Sequence, residues 1–195
     1  MILWARKAKV IYICNHKISI MSKRDLKKYL GGLDKEQLQE QLIELYEKFS
    51  TVKEYYDFVF NPKEEKRLQE AKLKISNEYF PVSNNGKKRK PKMRRSVAQK
   101  YIKHFITLGV DSFVIADVML YTIEIAQIFS AENSIKQDAF YKSMYNSFEQ
   151  AVQFLIANGI LGEFKSRILA IYEEVIHQKW KNRTDFLPIM DRINE

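Results

Sequence analysis

The densest charge in the sequence lies between residues 84 and 95, which read NNGKKRKPKMRR. Seven of the nine positions after Gly86 are Lys or Arg, and no Asp or Glu occurs between Glu78 and Asp111. Cations at this density can displace the counterions of a phosphate polymer, which gives affinity for nucleic acid without sequence preference. The candidate anion-binding residues are Lys87, Lys88, Arg89, Lys90, Lys92, Arg94, Arg95, Lys100 and Lys103.

A predicted helix follows the basic run directly, because Ser96 and Gln99 have the spacing of a capping box. The free N–H groups of residues 97–99, flanked by Arg94 and Arg95, would favour a bound phosphate. The alternative interpretation is a solvated loop whose charges balance acidic faces elsewhere in the chain. The run contains no aromatic residue on which bases of a single strand could stack. Both interpretations stay open at this point.

Asp117, Tyr121 and Glu124 have spacings of four and three, so they lie on one face of a predicted helix. Two carboxylates can divide the acid and base roles of a hydrolytic reaction. Seven residues of helix separate them by about 10.5 Å, which exceeds the ~5 to 9.5 Å of glycosidase pairs. We therefore interpret the face as a solvated or hydrogen-bonded stripe.

The step from Glu174 to His177 is the Glu-x-x-His spacing of bundles that bind two metal ions. Such a site needs a second copy of the motif, and His104 has Tyr101 three residues before it instead of a carboxylate. Motifs for phosphate loops and for Ser or Cys nucleophiles are also missing. We predict no catalytic residue, no metal site and no cofactor, and we favour a non-enzymatic protein over an enzyme.

The elements that must position these residues are helices, since Gly and Pro are few and apolar residues recur at spacings of three and four. Caps and periodicity predict seven main helices, which begin near Lys23, Lys35, Pro62, Ser96, Asp111, Ser134 and Glu163. Asp34, Asn61 and Asp111 are predicted as caps. The stretch TVKEYYDFVF is either a continuation of the second helix or a short separate one. The helix after Asp111 is apolar nearly all round, which predicts the centre of the core. The C-terminal tail is expected to add a turn or to fray.

The predicted fold is an all-α bundle of about seven helices, with a basic loop between an N-terminal and a C-terminal half. We predict an N-terminal helical unit at 21–80, a basic linker at 81–95 and a C-terminal bundle at 96–195. A single domain over 21–195 is the alternative. The aromatic residues concentrated after residue 95 are expected to supply much of the core.

Residues 1–20 differ from the rest, with four basic residues and no acid. Ser22 and Asp25 form a capping box directly behind Met21, so we interpret 1–20 as an upstream extension or a disordered arm. A basic, apolar arm lying on a membrane or a partner is the alternative. Its longest apolar run is too short to span a membrane. The single cysteine, Cys14, excludes an internal disulfide and fits a cytoplasmic location.

Four stretches carry a resemblance to a known family. They are SKRDLKKYL (22–30), EYYDFVFNPKEEK (54–66), RRSVAQKYIKHF (94–105) and GVDSFVIADVMLYTIEIAQIF (109–129). Together they resemble a family of uncharacterised bacterial proteins, over most of the chain from Met21 onward. The resemblance implies a cytoplasmic helical protein and carries over no activity, ligand or catalytic residue.

The net charge of +9 arises in the acid-free interval, where nine basic residues face no acid. This leads to the hypothesis of a helical protein that binds nucleic acid or another polyanion through residues 87–103. The alternative is a module that binds an acidic protein or a second copy of itself and has no role with nucleic acid. No membrane association is expected.

Overall fold

A computed structural model describes residues 21–82 and 89–194, and all regular structure within those ranges is helical. The helices are α1 (Lys23–Leu30), α2 (Lys35–Lys48), α3 (Ser50–Phe60), α4 (Glu64–Tyr79), α5 (Arg95–Leu108), α6 (Ser112–Glu132), α7 (Asp138–Ala157), α8 (Leu161–His177) and α9 (Leu187–Asn194), with a 3-10 turn at Arg183–Phe186. The all-α class is confirmed. The described residues form nine α-helices instead of about seven, because α3 is separate and the tail forms α9.

Three helices begin at the caps that the sequence predicts. The Ser22 hydroxyl accepts from the Asp25 N–H at 3.2 Å, and Asp34 accepts from the Gln37 N–H at 2.8 Å. Asp111 likewise accepts from the Phe113 N–H at 2.7 Å. Each bond joins residues two or three apart, so the local sequence alone is sufficient to specify it.

Three other helices begin without the cap that the sequence predicts. α4 begins at Glu64 because Lys63 has a left-handed backbone, with φ of 42°. α5 begins at Arg95 and not at Ser96, because Gln99 donates its side-chain amide to Gln150 of α7 instead of closing a capping box. α7 begins four residues after Ser134. In each case the predicted cap is absent.

Contacts between Cα atoms divide the chain into two units, residues 1–54 and residues 55–195. Within the first unit, α1 and α2 form a helical hairpin joined through Gly31 and Gly32. The two helices are linked by a hydrogen bond from the Gln41 amide to the Tyr29 hydroxyl at 2.6 Å. Neither helix has a buried residue. The prediction for residues 1–20 lies outside the described residues.

The second unit contains a continuous apolar core centred on α6, which packs against α4, α5, α7 and α8. Leu120 and Ile123 of α6 are fully buried, as the apolar character of this helix predicts. Within the described ranges, α6 alone is long and apolar enough to cross a membrane by length and composition. Its most apolar window is 61% buried in the protein, as is usual for the core helix of a bundle.

Residues 81–94, between α4 and α5, are called the basic segment below. Helix α4 precedes this segment in sequence, yet it packs against α5 and α6, which follow it. The segment therefore connects neighbouring helices of one core. The division into 21–80, 81–95 and 96–195 stays a prediction, as does the alternative of a single domain.

The C-terminal tail packs into the core instead of fraying. Phe186 and Ile189 are fully buried, and the Phe186 ring packs edge-on against Tyr145 with 5.5 Å between the ring centres. Phe148 contacts the same ring at 5.1 Å. Burying aromatic surface stabilises the tail, and the polar residues of 181–185 conceal this in the sequence.

Candidate anion-binding groove

The basic segment is attached to the end of α4 by its backbone. The carbonyl of Glu78 accepts hydrogen bonds from the N–H groups of Lys92 at 2.9 Å and Met93 at 3.0 Å. Carbonyls in the last turn of a helix have no partner within the helix, so these two bonds satisfy one of them. They hold the segment against the last turn of α4 just before it enters α5.

Arg94 is neutralised by the protein itself. Its Nε lies 2.8 Å from Glu78 Oε2 and its Nη2 lies 2.7 Å from Glu78 Oε1, so the pair is bidentate. The hydrogen bond from Arg94 lowers the pKa of Glu78, against the opposing effect of burial, and the charge of Lys92 adds to the lowering. Glu78 in turn raises the pKa of Arg94. This pair fixes the start of α5 to the end of α4.

Arg95 points away from the segment toward α7. Its Nε donates to the Ser147 hydroxyl at 2.9 Å and its Nη2 donates to Gln150 Oε1 at 2.8 Å. Partial burial lowers the pKa of Arg95. Both hydrogen-bond partners are neutral, so no carboxylate of the described residues balances the charge of this guanidinium. The side chain acts as a link between α5 and α7.

Between α4, the basic segment and α5 lies a groove of about 1260 Å³. Its lining includes one carboxylate, Glu78, which Arg94 already pairs. No carboxylate in the described ranges forms an ion pair with the other five cations, although Lys92 lies close enough to Glu78 to affect its pKa. The six lining cations are Lys74, Arg89, Lys90, Lys92, Arg94 and Lys100. We call this feature the basic groove.

The basic groove brings together five of the nine predicted anion-binding residues, namely Arg89, Lys90, Lys92, Arg94 and Lys100. Arg95 faces α7, and Lys103 is exposed on α5 outside the groove lining. Lys87 and Lys88 lie outside the described residues.

Two lining residues, Lys74 and Tyr101, were not among those predicted from the sequence. Lys74 precedes the acid-free interval, but it shares a helical face with Glu78, four residues later. That spacing was a readable signal. Tyr101 lies four residues after Val97, on the face of α5 that borders the groove. It gives the groove an aromatic ring that the basic run itself lacks.

The backbone N–H groups of residues 97–99, which were predicted to favour a bound phosphate, differ from expectation in one respect. The Val97 N–H donates to the Arg94 carbonyl at 3.2 Å, so this group already has a partner. Arg94 occupies the cap position without a side-chain hydrogen bond to the helix. The cationic side chains, more than the helix end, therefore define the candidate site.

The carboxylates of Asp117 and Glu124 form ion pairs with one arginine of α8. Arg167 Nη1 lies 2.6 Å from Asp117 Oδ1, and Arg167 Nε and Nη2 lie 2.5 Å and 2.7 Å from the two oxygens of Glu124. Lys72 of α4 reaches the second oxygen of Asp117 at 2.6 Å. We call these four residues the Arg167 cluster. They confirm the interpretation of a hydrogen-bonded stripe, which here links α4, α6 and α8.

Burial alone would raise the pKa of Asp117, but hydrogen bonds from Lys72 and Arg167 outweigh it and lower the pKa. Burial likewise opposes the charge of Arg167, while Glu124 and Asp117 raise its pKa. Asp117 and Arg167 are therefore held in their charged forms. A general acid or base needs the opposite, a group poised to change its protonation near neutral pH.

The Glu174–His177 step is a local contact on α8, with 3.7 Å between Glu174 Oε2 and His177 Nδ1. The His177 side chain is 82% exposed. Across residues 21–82 and 89–194, no group of three His, Cys, Asp or Glu side chains could hold a metal ion.

Comparison with curated proteins and with solved structures finds no match. One family model does match, over residues 21–194, which is nearly the whole of the described chain. The match begins at Met21, as the resemblance noted in the sequence implies. The chain belongs to a family of unknown function (DUF6155).

Proposed function

We propose that the protein is non-enzymatic and binds nucleic acid, or another polyanion, in the basic groove. The supporting observation is the ratio of charges in the groove, where six cations surround one carboxylate that is already paired. Unpaired cations attract counterions, and a polyanion gains affinity by releasing them. The charge that motivates the proposal is therefore local to one surface.

The size and lining of the groove favour a polymer over a small metabolite. Small-molecule sites are mostly apolar and measure about 300–1000 Å³. The basic groove measures about 1260 Å³ and its lining is rich in charged side chains. Cations come from α4 through Lys74, from the segment through Arg89 to Lys92, and from α5 through Lys100. Charges on several sides of a groove fit a backbone with successive phosphates.

Tyr101 favours nucleic acid among the polyanions. Its ring packs edge-on against Phe105, with 6.4 Å between the ring centres, and the side chain is only partly buried. A ring fixed in this way can stack on an unpaired base, an interaction that costs about 1–3 kcal/mol per base when it is removed. Single-stranded nucleic acid should therefore bind more tightly than polyphosphate of equal charge.

The proposal is tested by fluorescence anisotropy with labelled single-stranded DNA, duplex DNA and polyphosphate over a range of salt concentrations. If the five unpaired cations each contact a phosphate, the log–log salt slope for duplex DNA should approach about −4.5. Simultaneous substitution of these five residues by Gln should abolish this slope. The substituted residues are Lys74, Arg89, Lys90, Lys92 and Lys100.

A matched control removes five other exposed lysines, so that the net charge falls equally. The control residues are Lys66, Lys103, Lys136, Lys142 and Lys179, none of which lines the basic groove. The control should keep the salt slope of the unmodified protein. Equal losses in both variants would mean that overall charge, and not the groove, drives binding. Unchanged affinity after the groove substitutions would contradict the proposal.

A further inference from the structure

The α1–α2 hairpin exposes an apolar face on an otherwise charged pair of helices. Leu38, Leu42 and Leu45 of α2, together with Phe49 at its C-cap, are 39–50% exposed, and their spacing of four, three and four is that of a coiled-coil seam. Leu26 of α1 is also 44% exposed. These five residues form what we call the hairpin face.

Such a face is unfavourable in water. Each Å² of apolar surface left exposed forgoes about 25 cal/mol, and contiguous apolar surface usually marks an interaction site. Two helices joined by a turn have too little interior to bury a core by themselves. The absence of any buried residue in α1 and α2 is consistent with this limit.

The charges beside the face indicate what covers it. α1 carries four basic residues against one acid, Asp25, and α2 carries four glutamates against two lysines. We propose that two copies of this chain associate through the hairpin face, with α1 of each copy beside α2 of the other. In such a two-fold four-helix arrangement, every basic helix has acidic neighbours on both sides and like charges stay apart.

The dimensions of the hairpin set the strength of this association. α2 is about 21 Å long and each helix is about 10 Å wide, so the hairpin offers up to about 400 Å² per copy. Stable standard-size interfaces bury about 800 Å² per partner. The dimer is therefore reversible, with a dissociation constant on the order of micromolar or weaker.

Sedimentation velocity of the full chain, from about 1 μM to about 300 μM, measures this equilibrium. We expect a monomer–dimer transition in that range, and Leu42→Glu should weaken the dimer about tenfold or more, as truncation of a central contact does. Leu73→Glu is the matched control, because Leu73 lies on α4 and is 59% exposed. A chain that stays monomeric throughout, or equal effects of the two substitutions, would overturn the proposal.

Charge reversal tests the pairing of α1 with α2. The double variant Lys27→Glu/Lys28→Glu makes α1 acidic, and Glu40→Lys/Glu47→Lys makes α2 basic. Each should dimerise more weakly alone, and an equimolar mixture should recover association, because opposite charges then meet across the interface. A mixture as weak as its components would exclude this arrangement.

Removal of residues 1–20 tests whether the hairpin face is covered by a second copy of the chain or by residues 1–20 of the same chain. The shortened and full chains should dimerise alike. Association that appears only after removal would overturn the proposal, since residues 1–20 would then be what covers the hairpin face in the full chain.

Discussion

The basic groove and the Arg167 cluster are built from the same residue types in the same unit of the chain, yet they use charge in opposite ways. In the Arg167 cluster, two cations meet two carboxylates at 2.5–2.7 Å across three helices. In the basic groove, six cations surround one carboxylate, which pairs with Arg94. The first arrangement is complete without a ligand, whereas the second leaves positive charge that only solvent ions or another molecule can balance.

The contrast follows from where the residues lie in the fold. The carboxylates of the Arg167 cluster lie within α6, between helices whose positions are fixed by the core. The groove cations lie near the end of α4, in the segment and at the start of α5. Partners can be matched across packed helices, while cations at a helix junction can stay exposed to incoming ions. The position of a charged residue relative to the core therefore decides whether its charge is balanced inside the protein or stays exposed.

The largest expected effect is on stability, from Arg167→Met. This change leaves Asp117 and Glu124, whose side chains are 22% and 29% exposed, without their shared partner. Removing one partner of a buried pair costs about 3–5 kcal/mol, and partial exposure should reduce the loss here to about 2–3 kcal/mol. Urea unfolding at neutral pH measures it. Arg94→Met should lose less, because it breaks one ion pair with a 52% exposed arginine instead of two pairs, although the Glu78 side chain that it leaves is only 12% exposed. Equal losses would show that the two ion pairs are not different in kind.

A smaller loss is expected in acid. Because the pKa of Asp117 is lowered in the folded protein, its pairing stabilises the fold above the ordinary Asp pKa of about 3.9. That contribution is lost as the pH falls through the lower, folded value. Urea unfolding between pH 7 and pH 3 should show a steeper loss in the unmodified chain than in Asp117→Asn. Glu78, whose pKa is also lowered, should keep part of the slope in both proteins.

Interactions between close neighbours in sequence could be predicted, whereas interactions between distant residues could not. The caps at Ser22, Asp34 and Asp111 are bonds between close neighbours in sequence, and they were predicted correctly. The cap of α5 was predicted at Ser96, two residues after the observed cap at Arg94, and Gln99 does not close a capping box because it bonds to a residue 51 positions away. No sequence pattern around Gln99 predicts Gln150 as its partner.

The candidate site divides in the same way. The acid-free interval located most of the groove cations, because it is a property of the sequence alone. The pairing of Arg94 with Glu78 spans 16 positions and depends on how the segment returns to α4. Lys74 joins the site only because α4 packs beside α5. Composition therefore predicted the sign of the surface, and tertiary packing decided which charges remain available.

Glu78→Gln should raise the affinity for nucleic acid, whereas substitution of the groove cations should lower it. This change removes the one carboxylate of the basic groove and releases Arg94 for an added anion. Affinity for duplex DNA should rise and the salt slope should steepen by about 0.9, the value of one further phosphate contact. Anisotropy titrations over salt measure both quantities. Arg94→Gln is the matched change, and it should lower affinity, because it leaves the Glu78 carboxylate without its ion-pair partner in the groove. A weaker affinity in Glu78→Gln would contradict the charge ratio as the source of binding.

The smallest expected effect separates two lysines of the same helix. Lys100 and Lys103 are both exposed on α5 and one turn apart, but only Lys100 lines the basic groove. Lys100→Gln should reduce the magnitude of the salt slope by about 0.9, whereas Lys103→Gln should leave it unchanged within error. The two variants have the same net charge and the same helix propensity, so a difference in slope can arise only from position. Equal slopes would mean that binding responds to the charge of the whole α5 surface, and the boundary of the basic groove would then have no functional meaning.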